Sequence, residues 1–251
     1  KDFGVEASFV DMTDPARVKA AMKKNTKLVW LETPSNPMLG VVDVAAIAAL
    51  ASAPATRPLV VVDGTFATPF AQTPLAPGAD LVVHSMTKGI GGHGDVIGGA
   101  VMGNRALVES AKEAIVKGFG GVLSPLSAWL VARGLRTFAL RQERSCATAA
   151  TLALHLAAHP SIAVVHHPSL ASHPGHALAK QQMHAYGALL SFELREERGV
   201  RAVTRGRDVL EGLRVATHAV SLGDVRTLAV HPASTTHSTM AAEARRLAGI
   251  S

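Results

Sequence analysis

Short β-branched runs alternate with Ala-rich stretches of helical period through the first half of this sequence, and few folds accept that pattern. Lys27-Leu28-Val29-Trp30-Leu31, Leu59–Val62, Leu81–Val83 and Gly99–Met102 read as strands. The segments between them suit crossover helices better than tight hairpins, so parallel strands are expected. Asp14-Pro15 opens one such helix, running to about Lys24, with Asp as cap and Pro at the first helical position; Asp43 opens another. In a sheet of this kind, ligands sit beyond the C-terminal ends of the strands.

The second half is organised differently. Ser124-Pro125 repeats the cap-plus-Pro signal, and a helical pattern follows to about His159-Pro160, long enough to connect two domains. Beyond it come shorter units: a strand near Ile162–Val165, a helix near His176–Met183, a strand at Leu189–Leu194 and a helix from Val200 to Leu213. The expected division is a large domain over 1–124, a connecting helix over 125–159 and a small α+β domain over 160–251.

Several function classes are excluded on composition. Hydrophobic residues make up 48% and charged residues 18% of the 251, which is globular and not disordered composition. Apolar runs such as Val44–Ala51 fall far short of the roughly 20 residues that span a bilayer, and Lys1-Asp2-Phe3-Gly4 lacks the apolar core of a signal peptide, so no membrane role is expected. The net charge of +6 is scattered and accompanied by one tyrosine, which argues against nucleic acid. A single cysteine, Cys146, permits neither an internal disulfide nor a thiolate metal cluster, and makes the cytoplasm the default compartment. His166, His167, His173 and His176 match no zinc spacing, and no metal is expected. Arg133, Arg136, Arg141 and Arg144 read as a solvated or interface face of the connecting helix.

Chemistry concentrates in Val83-His84-Ser85-Met86-Thr87-Lys88-Gly89-Ile90-Gly91-Gly92, where an apolar strand runs into hydroxyls, a lysine and then glycines. Ser85 and Thr87 can bind a phosphate, a desolvated lysine forms an imine with an aldehyde, and glycines let backbone approach closely. Taken alone, the same run also describes a strand-end turn with a surface lysine. Leu59-Val60-Val61-Val62-Asp63 ends an apolar strand in a carboxylate, which is either a turn cap or the partner of a cation. Asp63 and Lys88 lie 25 residues apart, about one strand–helix–strand step, so neighbouring strand ends can flank one ring.

Glu32-Thr33-Pro34-Ser35-Asn36-Pro37, Asp63-Gly64-Thr65-Phe66-Ala67-Thr68-Pro69 and His84-Ser85-Met86-Thr87-Lys88 together resemble three successive signatures of the Cys/Met-metabolism (trans-sulfuration) family of pyridoxal-phosphate (PLP) enzymes. The likeness continues through Leu123-Ser124-Pro125, Arg133-Gly134-Leu135, Ser172-His173-Pro174, Ser221-Leu222-Gly223 and His231-Pro232-Ala233-Ser234-Thr235-Thr236-His237. It implies an α/β, fold-type I (aspartate aminotransferase-like) architecture: a mostly parallel sheet with helices on both faces, plus a smaller α+β C-terminal domain. It further implies pyridoxal 5'-phosphate as cofactor, with Lys88 as Schiff-base lysine and proton carrier, Asp63 at the pyridine nitrogen, Ser85 and Thr87 at the phosphate, and Thr65 against the ring. Asn36 would lie near the ring hydroxyl and the substrate carboxylate, and Ser221 would position the lysine or the substrate. An amino-acid substrate and a homodimer or homotetramer follow from the same likeness.

The sequence departs from the family pattern in places. Segments that the family carries before and after these motifs are expected to lie outside this sequence. Gly64 stands where Asn is frequent, and Gly89 follows the lysine where Tyr is frequent. Val220 precedes Ser-Leu-Gly where cystathionine enzymes commonly carry Glu, which leans away from a cystathionine substrate and leaves a methionine γ-lyase-like reaction or an O-acylhomoserine sulfhydrylase. Gly92-His93-Gly94-Asp95-Val96 and Arg144-Ser145-Cys146-Ala147 lean toward the lyase. Pro232–His237 leans toward the sulfhydrylase, and γ-replacement by an O-acylhomoserine sulfhydrylase or a cystathionine γ-synthase-like enzyme stands as the alternative. Two readings stay beside these: another PLP enzyme of the same fold, and an inactive remnant that binds cofactor or a partner.

Overall fold

The computed structural model describes residues 4–53, 57–195, 202–247 and 250. Helix α1 (Pro15–Ala21) is capped by the Asp14 side chain, which accepts from the Ala16 N–H. It ends before Lys24, because the Thr26 hydroxyl takes the Lys23 N–H and turns the chain into β1 (Leu28–Glu32). Helix α2 (Val44–Ser52) is capped by Asp43 through Ala46 N–H at 2.8 Å, then β2 (Leu59–Asp63), the short α3 (Thr68–Ala71), β3 (Leu81–Ser85) and β4 (Gly99–Gly103) follow.

These four strands form one sheet in the order β1-β2-β3-β4. The β1–β2 and β2–β3 pairs are parallel, as the alternation predicts. The expectation of parallel pairing fails at β4, which runs antiparallel to β3, with Leu81 opposite Gly103 and Ser85 opposite Gly99. The physical reason lies in the connection: residues 86–98 make a compact turn instead of a crossover helix, and Gly98 O accepts from Met86 N–H at 2.9 Å. One face of the sheet closes over α1 and α2. Val29, Leu31, Val60, Val62 and Val82 pack there with Val18, Val44, Ile47 and Ala51.

The run expected as one connecting helix over 125–159 is two helices, α5 (Pro125–Leu135) and α6 (Phe138–Ala157), after α4 (Arg105–Lys112). The carbonyl of Gly134 explains the break. It accepts from the Thr137 N–H at 3.3 Å and from the Arg141 guanidinium at 2.9 Å, so donors from beyond the joint saturate the end of α5. Farther on lie β5 (Ile162–His166), α7 (His176–Gln182) and β6 (Ser191–Leu194), with β5 and β6 antiparallel. Helix α8 (Ala202–Gly212), the pair β7 (Thr217–His218) and β8 (Leu228–Ala229), and α9 (Ala242–Leu247) complete the chain. Val200, where the α8 pattern was expected to begin, lies outside the described residues.

The start of β3 is tied to β2 by one side chain. Asp80 accepts from the buried Val60 N–H at 2.7 Å and from Arg57 at 2.8 Å. Asp80→Ala leaves the Val60 donor in the core without a partner, a loss of about 1–3 kcal/mol. Urea unfolding is expected to show a lower midpoint with an unchanged slope.

Candidate functional site

The strand ends deliver the polar residues. Asp63 closes β2, and its carboxylate is fixed by the Thr65 N–H, which donates to Oδ1 at 2.9 Å. The Thr65 hydroxyl in turn accepts from the Ser85 N–H at 2.9 Å, joining the turn after β2 to the end of β3. Parallel pairing of Val62 with Val82 and Asp63 with Val83 sets this level.

Lys88 follows in a π-type turn, Met86–Ile90, which departs from helical geometry at the lysine itself (φ −92°, ψ −136°). Thr87 anchors the turn, accepting from the Gly98 N–H at 3.0 Å. Lys88 Nζ donates to Ser221 Oγ at 3.2 Å, across 133 positions of sequence. The Ser221-Leu222-Gly223 loop reaches it because two glycines meet: a Cβ on Gly223 (φ +78°) would stand 2.3 Å from Gly89 N. The structure also explains the two unusual glycines of the motifs. A Cβ on Gly64 would lie 2.7 Å from His84 Cε1, and one on Gly89 would lie 2.9 Å from Gln142 Nε2 and 3.0 Å from Thr68 Cγ2.

Asn36 is exposed, and among the described residues its side chain makes no hydrogen bond to this group. Its backbone N–H faces Glu32, which stands opposite Asp63 in the β1–β2 register. Burial pushes the Glu32 carboxyl up to about 7, the negative Asp63 adds to that, and the Asn36 N–H opposes it. Burial lowers His84, whose Nδ1 has no partner among the described residues, so this imidazole is neutral in the core behind Asp63. Cys146 is buried and its thiol is pushed up to about 11, an inert packing residue.

Sequence reasoning missed Glu32, His84, Gln142 and Arg141 as contributors. Of the four arginines expected on a solvated or interface face, Arg133, Arg136 and Arg144 are exposed, while Arg141 donates to the carbonyls of Gly89 at 2.9 Å, Ile90 at 3.1 Å and Gly134 at 2.9 Å. The overlooked signal was the glycine run after Lys88, whose buried carbonyls require donors. The four C-terminal histidines are structural. His166 meets Glu193 at 2.7 Å, His176 donates to Pro168 O at 2.8 Å, His167 meets Ser169 Oγ at 2.7 Å, and His173 accepts from the Gly175 N–H at 3.0 Å.

The family profile described as Cys/Met metabolism PLP-dependent enzyme matches residues 1–251. The chain is 49% identical over 251 residues to an L-methionine γ-lyase of Fusobacterium nucleatum subsp. polymorphum, covering 99% of this chain and 62% of that protein. It is 43% identical to a cystathionine β-lyase of Lactococcus lactis subsp. cremoris, covering 98% and 63%. An apo methionine γ-lyase from Micromonospora echinospora superposes with a TM-score of 0.91 at 42% identity, over 100% of this chain and 65% of that one. The chain thus spans about 62% of the length of the curated relatives it matches. Its fold is that of the fold-type I PLP enzymes.

The residues present fit that cofactor. Among the described residues the second carboxylate oxygen of Asp63 and the hydroxyl of Ser85 carry no hydrogen bond or ion pair, so a cationic ring nitrogen and a phosphate find both uncommitted. A primary amine, Lys88 Nζ, follows Ser85 by three positions and is held by Ser221.

Glu32 generates a test of the electrostatics. Its folded value, about 7, lies above the ordinary 4.5, so the fold holds the neutral acid. Stability is full below the unfolded value and is lost as pH rises from about 4.5 to about 7. Glu32→Gln in cofactor-free protein is expected to melt like the wild type at pH 4 and higher than it at pH 8; equal melting at both pH values would refute the placement.

Proposed function

The chain belongs to the Cys/Met metabolism PLP-dependent enzyme family, and from that membership we propose that it carries the lysine-bearing core of an enzyme that eliminates the γ-sulfur group of an amino acid, in the manner of a methionine γ-lyase. One observation carries the reading: Lys88 Nζ meets Ser221 Oγ at 3.2 Å on the turn that follows the strand carrying Ser85, and Thr65 ties Asp63 to the end of that strand. The relatives named L-methionine γ-lyase support it.

When bound, PLP supplies a protonated ring that withdraws electrons from the bonds at the substrate α-carbon. Lys88 Nζ is the group that attaches the cofactor and then moves protons at Cα and Cβ of the substrate. Ser221 Oγ accepts from Nζ and so aims the amine. Asp63 would hold the ring nitrogen, its orientation set beforehand by the Thr65 N–H. Ser85 and Thr87 would hold the phosphate, Thr65 the ring face, and Asn36 the ring hydroxyl and the substrate carboxylate.

Val220, 63% exposed, lines a cavity of about 470 Å³ together with Thr87 and Ser221. Val220 itself offers no charged partner to the distal groups of cystathionine, while Asp95, Asp224 and Arg226 line the same cavity. The proposal includes a homodimer or homotetramer, supported by exposed Phe119, Leu126 and Trp129 on and before α5, and the division into 1–124, 125–159 and 160–251. It includes a cytoplasmic site of action, supported by the single, buried cysteine. Among the described residues no helix is long and apolar enough to cross a membrane.

Purified protein supplied with PLP and L-methionine is expected to release methanethiol, ammonia and 2-oxobutanoate in equal amounts. Lys88→Ala is expected to lower that rate by about 10²–10⁴-fold or more. A thioether formed from an O-acylhomoserine and a thiol, with methionine untouched, would assign γ-replacement instead.

A further inference from the structure

Lys88 is gripped through its neighbours' carbonyls. Gly89 and Ile90 are buried, and a buried carbonyl needs a donor. Inside the turn, Gly91 N–H donates to Met86 O and Gly92 N–H to Lys88 O, which leaves the Gly89 and Ile90 carbonyls facing outward. Arg141 takes both, with Nη1 to Gly89 O at 2.9 Å and Nη2 to Ile90 O at 3.1 Å. The same guanidinium is held at the joint between α5 and α6, where Nη2 donates to Gly134 O at 2.9 Å and Nε to Thr137 Oγ1 at 3.1 Å. Gln142 adds a longer bond to Gly89 O at 3.4 Å.

The glycines around the lysine are shaped to this contact. A Cβ on Gly92 (φ +73°) would stand 1.8 Å from Arg141 Nη1, so the guanidinium passes through the space a side chain would fill. A Cβ on Gly134 would meet Gly91 O at 2.5 Å, so α5 also lies directly against the turn. Among the described residues no carboxylate pairs with Arg141, and its charge is met by three carbonyls and the Thr137 hydroxyl. Five donors in a rigid fork can span three carbonyls; a lysine ammonium, a single point on a flexible stem, cannot.

We propose that Arg141 is a positioning residue for Lys88, fixing the carbonyls that follow it so that Nζ stays aimed at Ser221 and at the space before Asp63. The inference rests on the reading of Lys88 as the cofactor-bearing amine. Arg141 also keeps a half-buried positive charge on the backbone next to the lysine. The other ionisable groups around the turn are Asp63, His93, whose ring donates to Gly91 O, Asp95, and the Asp224–Arg226 pair against Gly94. None of them changes in the variants below.

The test compares wild-type holoenzyme with Arg141→Lys, Arg141→Met and, as a control on the exposed face of α6, Arg144→Gln. The readouts are the lysine-dependent visible band of bound PLP, its pH midpoint, and kcat and KM for methionine. In both Arg141 variants the band is expected to persist at saturating PLP while kcat falls at least about tenfold and KM stays within about threefold. The pH midpoint should rise by about half to one unit in Arg141→Met and move less in Arg141→Lys, which keeps the charge. Arg144→Gln should match wild type throughout. A wild-type kcat and midpoint in Arg141→Met, or in Arg141→Lys a wild-type kcat, would overturn the proposal and leave Arg141 a brace for the helix joint, whatever happens to the melting temperature. Failure of the underlying reading looks different: wild type itself would show no band, or the band would survive Lys88→Ala.

Discussion

Two parallel strands must hold one register for anything chemical to happen in this chain. Asp63 and Ser85 lie at the C-terminal ends of β2 and β3, and the Thr65 side chain locks the levels together by accepting from the Ser85 N–H at 2.9 Å. A slip of one residue in that register would turn the Asp63 carboxylate to the opposite face and carry the lysine turn away from it. The register is held by the apolar core beneath it, where Val60, Val62 and Val82 interlock with Ile47 and Val44. At the other end of the pair the Asp80 carboxylate satisfies the Val60 N–H. Packing therefore sets the depth of the site, and a few hydrogen bonds set its orientation.

The lysine turn is held in another way. It has little side-chain bulk of its own, since Gly89, Gly91 and Gly92 follow Lys88. Distant segments come against its backbone instead. Gly223 meets Gly89, Gly134 meets Gly91, Val225 N–H donates to Gly92 O, and Arg141 covers two carbonyls. Bare backbone approached from all sides is costly unless every polar group is matched, which makes one arginine on α6 important to a lysine 53 positions earlier.

What could be read from the sequence follows the range of the forces. The caps Asp14, Asp43 and Ser124 act over two or three residues, and each was legible and is in place. Strands β1 to β6 rest on local apolar runs and fall within a residue or two of expectation, whereas the two-residue β7 and β8 were not expected. The antiparallel β4 was not legible, because its direction depends on a turn over 86–98 that has no turn signature beyond its glycines. The break at Arg136–Thr137 was hidden because Gly134 is tolerated in a helix, and what ends α5 is the arrival of Arg141 from the next helix. Arg141 looked solvated for the same reason: its partners are carbonyls, and carbonyls leave no mark in a sequence. The motif residues themselves stood out, but the meeting of Lys88 with Ser221 across 133 positions needed the fold.

The identity of Lys88 as the attachment point is the premise under the site, and chemical trapping addresses it without any substrate. Protein loaded with PLP is reduced with borohydride, digested, and its peptides weighed. The pyridoxyl mass is expected on the peptide that contains Lys88 and nowhere else. A label on another lysine such as Lys117 or Lys180, or cofactor lost on denaturation after reduction, would contradict it.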